Sequence, residues 1–279
     1  MLNVIMLGGI SFVVNGNRIR NELGQSGRRL ACYLLTFPGR AHRREKLADM
    51  FWENLEPDNA RAALNTAIWR LRKLLESSGS VRVARQLITT SDEVILESCE
   101  SISVDLHSFL ERIRKSKELA SVGNAAQTSF TLQSAVDEYG GPFLDGEDHD
   151  WIVLERERLQ CLYMRALVDL MNNAARDKRY EDALDYGRRI LGHDSLRENV
   201  HRSMMLLLVM NGQRAEAIHH YGRCKSLLFQ ELKIDPMPQT MQLAELIRSS
   251  GIDASLAELA ETQFVDSAHL SRAGDASHF

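Results

Sequence analysis

The residues best suited to chemistry lie between Pro57 and Ser77, PDNARAALNTAIWRLRKLLES, where one side carries Arg61, Asn65, Thr66, Trp69, Arg70, Arg72 and Lys73. Guanidinium, amide, hydroxyl, ammonium and indole groups are the set that binds phosphate oxygens and reads base edges in a major groove. On the other side Ala60, Leu64, Ala67, Ile68, Leu71, Leu74 and Leu75 recur at helical spacing, so an apolar stripe can face a core while the polar side stays outward. Arg and Asn make bidentate bonds to guanine and adenine respectively, which makes Arg70 and Asn65 the favoured readers, with Arg61, Thr66 and Lys73 beside them. Trp69 has two readings, contact with a thymine methyl or sugar, or a partly buried structural indole. A basic helix taken alone is equally a solvated amphipathic surface. The surroundings of this one decide against that.

Pro57 cannot continue a helix backwards, and Asp58 can cap the start. Downstream, after Arg82 and Arg85, QLITTSDEVILE alternates Leu87 and Thr89 with Val94 and Leu96 about a polar Ser91-Asp92 turn, which predicts a hairpin. Upstream, LNVIML and ISFVV open a small antiparallel sheet, and Asn15-Gly16 marks the turn before NRIRN. Gly27 to Phe37 reads as a helix with Leu30, Tyr33, Leu34 and Phe37 inward, ended by Pro38-Gly39, and Arg43 to Phe51 as a second short helix. Sheet, three helices and a wing form a winged helix-turn-helix over residues 1–100.

From Val104 onward helical periodicity takes over. Helices are predicted over Asp105 to Ser116, Ala125 to Glu138, Asp150 to Arg176, Tyr180 to Leu191, Arg197 to Met210, Arg214 to Leu232 and Pro238 to Ser249. KRYEDALDYGRRIL aligns with GQRAEAIHHYGRCK at an offset of about 34 residues, pairing Asp182 with Glu216 and Ala183 with Ala217, which is the tetratricopeptide period. The fold class is therefore mainly α with a small β part, an N-terminal winged helix-turn-helix followed by an all-α, tetratricopeptide-like domain over 104–250. The segment 251–279 is rich in Ser, Ala, Asp and Glu and reads as a mobile tail, in which Leu256, Leu259 and Ala260 can form a short docked helix.

A chain of 279 residues with 26% charged residues fits two ordinary globular domains. Its net charge of -4 is uneven: the segment from Arg18 to Arg85 is roughly +7, leaving the remainder near -11. The basic part suits a phosphate backbone, whereas the acidic part suits a protein partner. Cys32, Cys99, Cys161 and Cys224 form no C-x-x-C pair and read as reduced, mostly buried thiols. No long apolar run and no leader pattern is present, so the expected location is cytoplasmic, away from membranes. Phosphate-loop, nucleophile-elbow and H-E-x-x-H motifs are missing, so an enzyme is not expected, nor a cofactor or metal. His219-His220 is read as a helix surface pair, because neighbouring helical positions diverge by about 100°. The acids from Asp145 to Asp150 are read chiefly as caps complementing a helix dipole.

The chain resembles the antibiotic-regulatory (SARP-type) transcriptional activators and related bacterial transcriptional activator domain regulators, over roughly Leu2 to Ile247. The resemblance is carried by LGGISFVVNGNRI, by GRRLACYLL, by REKLADMFWENLEPDNARAALNTAIWRLRKLL with its R-x-A-L-x-x-x-I-x-R-L-R core, and by VDLHSFL. Further on it is carried by YGGPFLDGEDHDWIVLERERLQCLYMRAL and NGQRAEAIHHYGRCKSLLFQELKIDPMPQT. It implies an OmpR-like winged helix ahead of a tetratricopeptide-like activation domain. It also implies an activator that binds promoter direct repeats, often as two protomers, and recruits RNA polymerase through its sigma factor and alpha subunit. The family's wing usually has a Gly-Tyr pair, whereas this chain has Ser91-Asp92-Glu93-Val94, whose acids put a wing-tip phosphate contact in doubt. Expected phosphate contacts are Arg28, Arg29, Arg43, Arg44, Lys46, Arg72, Arg82 and Arg85. Two other readings stay open: a helical-repeat adaptor or scaffold without specific DNA binding, and a repressor that blocks a promoter.

Overall fold

The computed structural model describes residues 1–19, 23–77, 81–249, 256, 259–260 and 262–264, without the side chains of 81 and 82. The described chain is mostly helical with a small β part and falls into two compact units, Met1–Glu118 with Asp137–Gln160, and Leu119–Val136 with Cys161–Phe279.

The first unit opens with strands β1 (Leu2–Ile5), β2 (Ser11–Val14) and β3 (Asn17–Arg18). Leu2 and Val4 are buried while Asn3 and Ile5 face out, as a one-faced strand requires. The β2–β3 turn places Asn15 at φ 48° and Gly16 at φ 84°, the left-handed pair that an Asn-Gly hairpin turn needs. Helices α1 (Gly24–Thr36), α2 (Arg44–Phe51) and α3 (Pro57–Ser77) follow, with β4 (His42–Arg43) between the first two. A five-residue helix, α4 (Val81–Arg85), then leads into the wing strands β5 (Leu87–Thr89) and β6 (Glu93–Leu96). β6 lies between β4 and β5, and all pairings are antiparallel.

Three short features escaped the sequence, the two-residue β4 among them. α4 is too short to show a period, and β7 (Ile102–Val104) has only three residues. β7 pairs parallel with β1, Leu2 opposite Ile102 and Val4 opposite Val104, closing a sheet of order β3-β2-β1-β7.

Immediately after β7, Asp105 opens α5 (Asp105–Ser121). Its carboxylate accepts hydrogen bonds from the Met6 and Leu7 amides at 2.9 Å and from the Leu106 amide at 2.7 Å. Burial raises the Asp105 pKa above the usual carboxylate range, against the downward pull of those three amides. The same strand end meets another segment: Gly8 donates to Pro142 at 3.0 Å, and Leu7 bridges Phe143. A methyl at Gly140 would stand 2.8 Å from the Leu7 carbonyl oxygen, and one at Gly141 2.9 Å from the Gly8 Cα, so both glycines permit backbone contact as well as a turn.

The second unit contains α6 (Ala125–Glu138) up to Val136, and α7 (Asp150–Arg176) from Cys161. It continues with α8 (Tyr180–His193), α9 (Glu198–Met210), α10 (Arg214–Leu232) and α11 (Pro238–Ser249). α8 packs on α9, α9 on α10 and α10 on α11, with α8 and α10 starting at the equivalent points of the internal repeat. Ala183 and Ala217 are fully buried, and a methyl at Gly187 would overlap the Met204 thioether, so small residues let the helices approach closely. Residues 256, 259–260 and 262–264 are helical with Leu256, Ala260 and Phe264 buried, while the rest of the segment 251–279, expected to be mobile, lies outside the described residues.

The histidine reading needs correction. His219 is exposed, but His220 is buried, because it shares the inward stripe of α10 with Ala217, Tyr221, Cys224 and Leu228. His220 Nε2 and His201 Nδ1 are 2.9 Å apart, and His201 Nε2 is 2.9 Å from the Ser195 carbonyl oxygen. That carbonyl can only accept, so His201 Nε2 carries its proton, Nδ1 accepts, and His220 Nε2 donates. His220 Nδ1 then faces the Arg223 guanidinium at 3.4 Å as an acceptor. Both rings are held neutral. Burial lowers both pKa values, and the neighbouring His201 ring and Arg223 bring His220 down to about 4 against the opposing pull of Glu216. All four thiols are free, but their burial is more mixed than expected: Cys32 and Cys224 are buried, Cys99 is half-buried and Cys161 is exposed.

Two outcomes are expected. Asp105→Ala leaves two strand amides without their acceptor and should lower unfolding free energy by about 2–3 kcal/mol in urea titrations followed by circular dichroism. An exposed histidine protonates near 6.5 whereas folded His220 does so near 4, so the unfolded chain binds more protons in between. Stability should thus be full above pH 6.5 and decline toward pH 4, by on the order of 3 kcal/mol for His220. His220→Gln should flatten that part of the profile.

Candidate nucleic-acid interface

α3 owes its orientation to its two faces. Ala60, Leu64, Ala67, Ile68, Leu71 and Leu75 are buried, with α1, α2 and α4 packed against the helix. Pro57 occupies its first turn, where a missing N–H costs nothing, and the Glu56 carbonyl accepts the first helical bond, from Ala60 at 2.9 Å. Asp58 lies inside that first turn, complementing the helix dipole and pairing with Arg61 at 3.6 Å, so it is not the cap expected from its position.

Arg61, Asn65, Thr66, Trp69, Arg70 and Lys73 are all exposed. Trp69 is 59% exposed, which removes its reading as a partly buried structural indole. Arg61 stands between Glu45 at 3.5 Å and Asp58 at 3.6 Å, and Lys73 pairs with Glu76 at 2.9 Å. Such exposed pairs contribute little, so these cations can exchange their partners for an anionic ligand. The Arg70 guanidinium lies beside the start of α1, 3.8 Å from where a methyl on Gly24 would sit. Thr66 donates its hydroxyl to the Ala62 carbonyl at 3.0 Å, leaving the oxygen lone pairs outward.

The cations expected on phosphate divide into distinct sets. Arg43, Lys46 and Arg85 are exposed, at β4, on α2 and at the end of α4. Arg72 is instead half-buried and donates to the Leu87 carbonyl at 3.0 Å and the Thr89 hydroxyl at 3.2 Å, which fastens α3 to β5. Arg29 binds Glu147 at 2.7 Å and Asp148 at 3.1 Å, and Arg28 Nε lies 3.8 Å from Glu147. Glu147 is buried, so it acts as a counter-charge to α1 rather than as part of a helix cap. Arg44 donates to the Asn65 side-chain oxygen and to the Thr90 carbonyl at 3.5 Å. The Arg82 side chain lies outside the described residues.

The wing turn is held by its own polar groups. Thr90 Oγ1 accepts from the Asp92 and Glu93 amides at 3.3 and 3.0 Å, and the Arg44 amide donates to the Asp92 carbonyl at 2.8 Å. Arg156, which sequence reasoning passed over, donates to the carbonyls of Phe143, Leu144 and Glu147 at 2.6 to 2.8 Å. It straps down the segment whose carboxylate meets Arg28 and Arg29. Only the unbroken run of charged residues around Arg156 hinted at such a partner. Among the described residues no cluster of three or more metal-binding side chains occurs, and no helix is long and apolar enough to cross a membrane.

The family model described as the bacterial transcriptional activator domain matches residues 104–248, more than half of the chain. The chain is 27% identical over 237 residues to the regulatory protein AfsR of Streptomyces coelicolor, an alignment covering 83% of this chain and 22% of that protein. It is 24% identical over 254 residues to the transcriptional regulatory protein MoaR1 of Mycobacterium tuberculosis, covering 85% and 79%. It thus spans under a quarter of AfsR and most of MoaR1. The solved structure of Mycobacterium tuberculosis EmbR in complex with a low-affinity phosphopeptide superposes with a TM-score of 0.76 at 22% identity, covering 98% of this chain and 71% of that one. That likeness speaks for the fold. With the family matched over its helical half and regulators aligned along most of its length, the chain belongs to the bacterial transcriptional activator domain family, among its SARP-type transcriptional regulators.

Proposed function

We propose that this regulator is a sequence-specific DNA-binding activator that sits on promoter direct repeats, as two protomers side by side, and recruits RNA polymerase through the sigma factor and alpha subunit. The observation that carries the reading is the exposed face of α3, with Arg61, Asn65, Thr66, Trp69, Arg70 and Lys73 opposite a buried apolar stripe. A helix so presented enters a major groove with donors and an indole forward. Arg70 reads a guanine edge. Arg43, Lys46 and Arg85 hold phosphates on either side, and Arg28, Arg29 and Arg72 keep α1, Glu147 and the wing in place.

The helical unit supplies the protein contacts. Phe229, Leu232, Ile234, Met237 and Met241 are large apolar side chains left exposed across the end of α10 and the start of α11. Clusters of this kind mark surfaces that bind protein. The protein works in the cytoplasm, where promoter and polymerase are found.

Two measurements test the reading. In gel shifts on a mapped promoter site, Arg70→Ala should cost about 1–3 kcal/mol and relax preference at one base pair, whereas Lys46→Ala should weaken all sequences alike and flatten the salt slope by about one unit. Equal binding to the site and to random duplex by the parent chain would remove the proposal in favour of an adaptor. In transcription reconstituted with purified polymerase, Phe229→Ser combined with Leu232→Ser should abolish stimulation while leaving the gel shift intact. Lowered transcription on adding the parent chain would instead identify a repressor.

A further inference from the structure

Asn65 stands in the middle of the exposed face of α3, one helical turn from Arg61 and close to Arg70 in sequence. An asparagine free to offer both ends of its amide reads adenine, accepting from N6–H with its oxygen and donating to N7 with its NH2. Here the amide is not free. Arg44, the first residue of α2, donates through Nη2 to the Asn65 Oδ1, while its Nη1 reaches the Thr90 carbonyl in the wing turn at 3.5 Å. A guanidinium has five N–H donors and no acceptor, so the amide atom that meets it must be the oxygen. One of the two Oδ1 lone pairs is then taken, and the NH2 keeps both its donors. Together with the remaining guanidinium N–H groups of Arg44, the pair offers more donors than acceptors.

We infer that Arg44 sets the base specificity of Asn65, by competing for its oxygen and turning an amide suited to adenine into a donor-rich reader that selects an acceptor edge, of which guanine with N7 and O6 is the richest. The inference rests on the reading of α3 as the groove-bound helix. Arg44 is a positioning residue in this scheme. It also ties α2, α3 and the wing turn to one another, so the amide orientation is set before DNA arrives. The wing's contribution is indirect: its Thr90 carbonyl holds the guanidinium in place, which gives a turn with acids at its tip a part in recognition without a phosphate contact of its own.

The test uses the full chain. Bound duplexes are selected from a random pool, and the affinity of the selected site and of its single base-pair substitutions is measured for the parent, Asn65→Ala, Asn65→Asp, Arg44→Ala and Arg44→Lys. The position that loses preference in Asn65→Ala should hold guanine in the parent, favoured at least about fivefold over adenine. Arg44→Ala should move preference at that position toward adenine, whereas Arg44→Lys, a donor-only cation, should keep guanine. Asn65→Asp turns the outward edge into an acceptor and should move the preference to cytosine or adenine, which offer an amino group; it decides the matter if Arg44→Ala does not fold. Adenine at that position in the parent overturns the inference. So does uniform weakening by Arg44→Ala with the base preference unchanged, or an Asn65→Asp chain that still selects guanine. Selective binding in which Asn65→Ala alters no position sinks this inference alone, while binding without preference over random duplex sinks it together with the reading of α3.

Discussion

Burial of one stripe of α3 is the constraint on which the first unit depends. Six apolar residues removed from water, at about 25 cal/mol per Å2 of apolar surface, outweigh what any exposed ion pair on the helix can contribute. The stripe therefore decides which way the helix turns, and the cations follow on the opposite side without needing partners of their own. A helix held by its polar face would have the opposite property. Its charges would be satisfied within the protein, and nothing would remain to meet a ligand.

Polar ties then refine what burial has oriented. Arg72 couples α3 to β5, Arg44 couples α2 to α3 and to the wing turn, and Asp105 joins the end of β1 to the start of α5. Each uses a charged group against backbone or amide partners, interactions stronger and more directional than exposed ion pairs. Arg29 and Glu147 extend the pattern, since a buried carboxylate needs a cation held against it. The arginines of the basic half thus divide between those that build the surface and those that form it.

Much of this was legible in the residues. The stripe of α3, the Asn15-Gly16 turn, the wing strands and the long helices of the second unit follow from periods of two and 3.6 with breakers between. The exposed set on α3 was legible for the same reason, because residues off the stripe tend to face outward, Arg72 being the exception. What was hidden depends on partners distant in the chain. Arg29 and Arg72 look like any surface cation until Glu147 and the Leu87 carbonyl are placed beside them. His220 looked like half of a surface pair because adjacent helical positions diverge and offer no shared ligand site, and only the packing of α10 on α9 shows which of the two turns inward. β7 and α4 are simply too short for periodicity to reveal.

The seam where Gly140 and Gly141 lie against Leu7 and Gly8 has a consequence for how tolerance to change is distributed along the chain. Even a methyl would press on backbone atoms there, so substitution at these two positions is expected to be costly although they bear no functional group. Their intolerance measures nearness of two main chains. Rigidity of such a seam can in this way be encoded by absence, through hydrogen atoms where every other amino acid would place carbon.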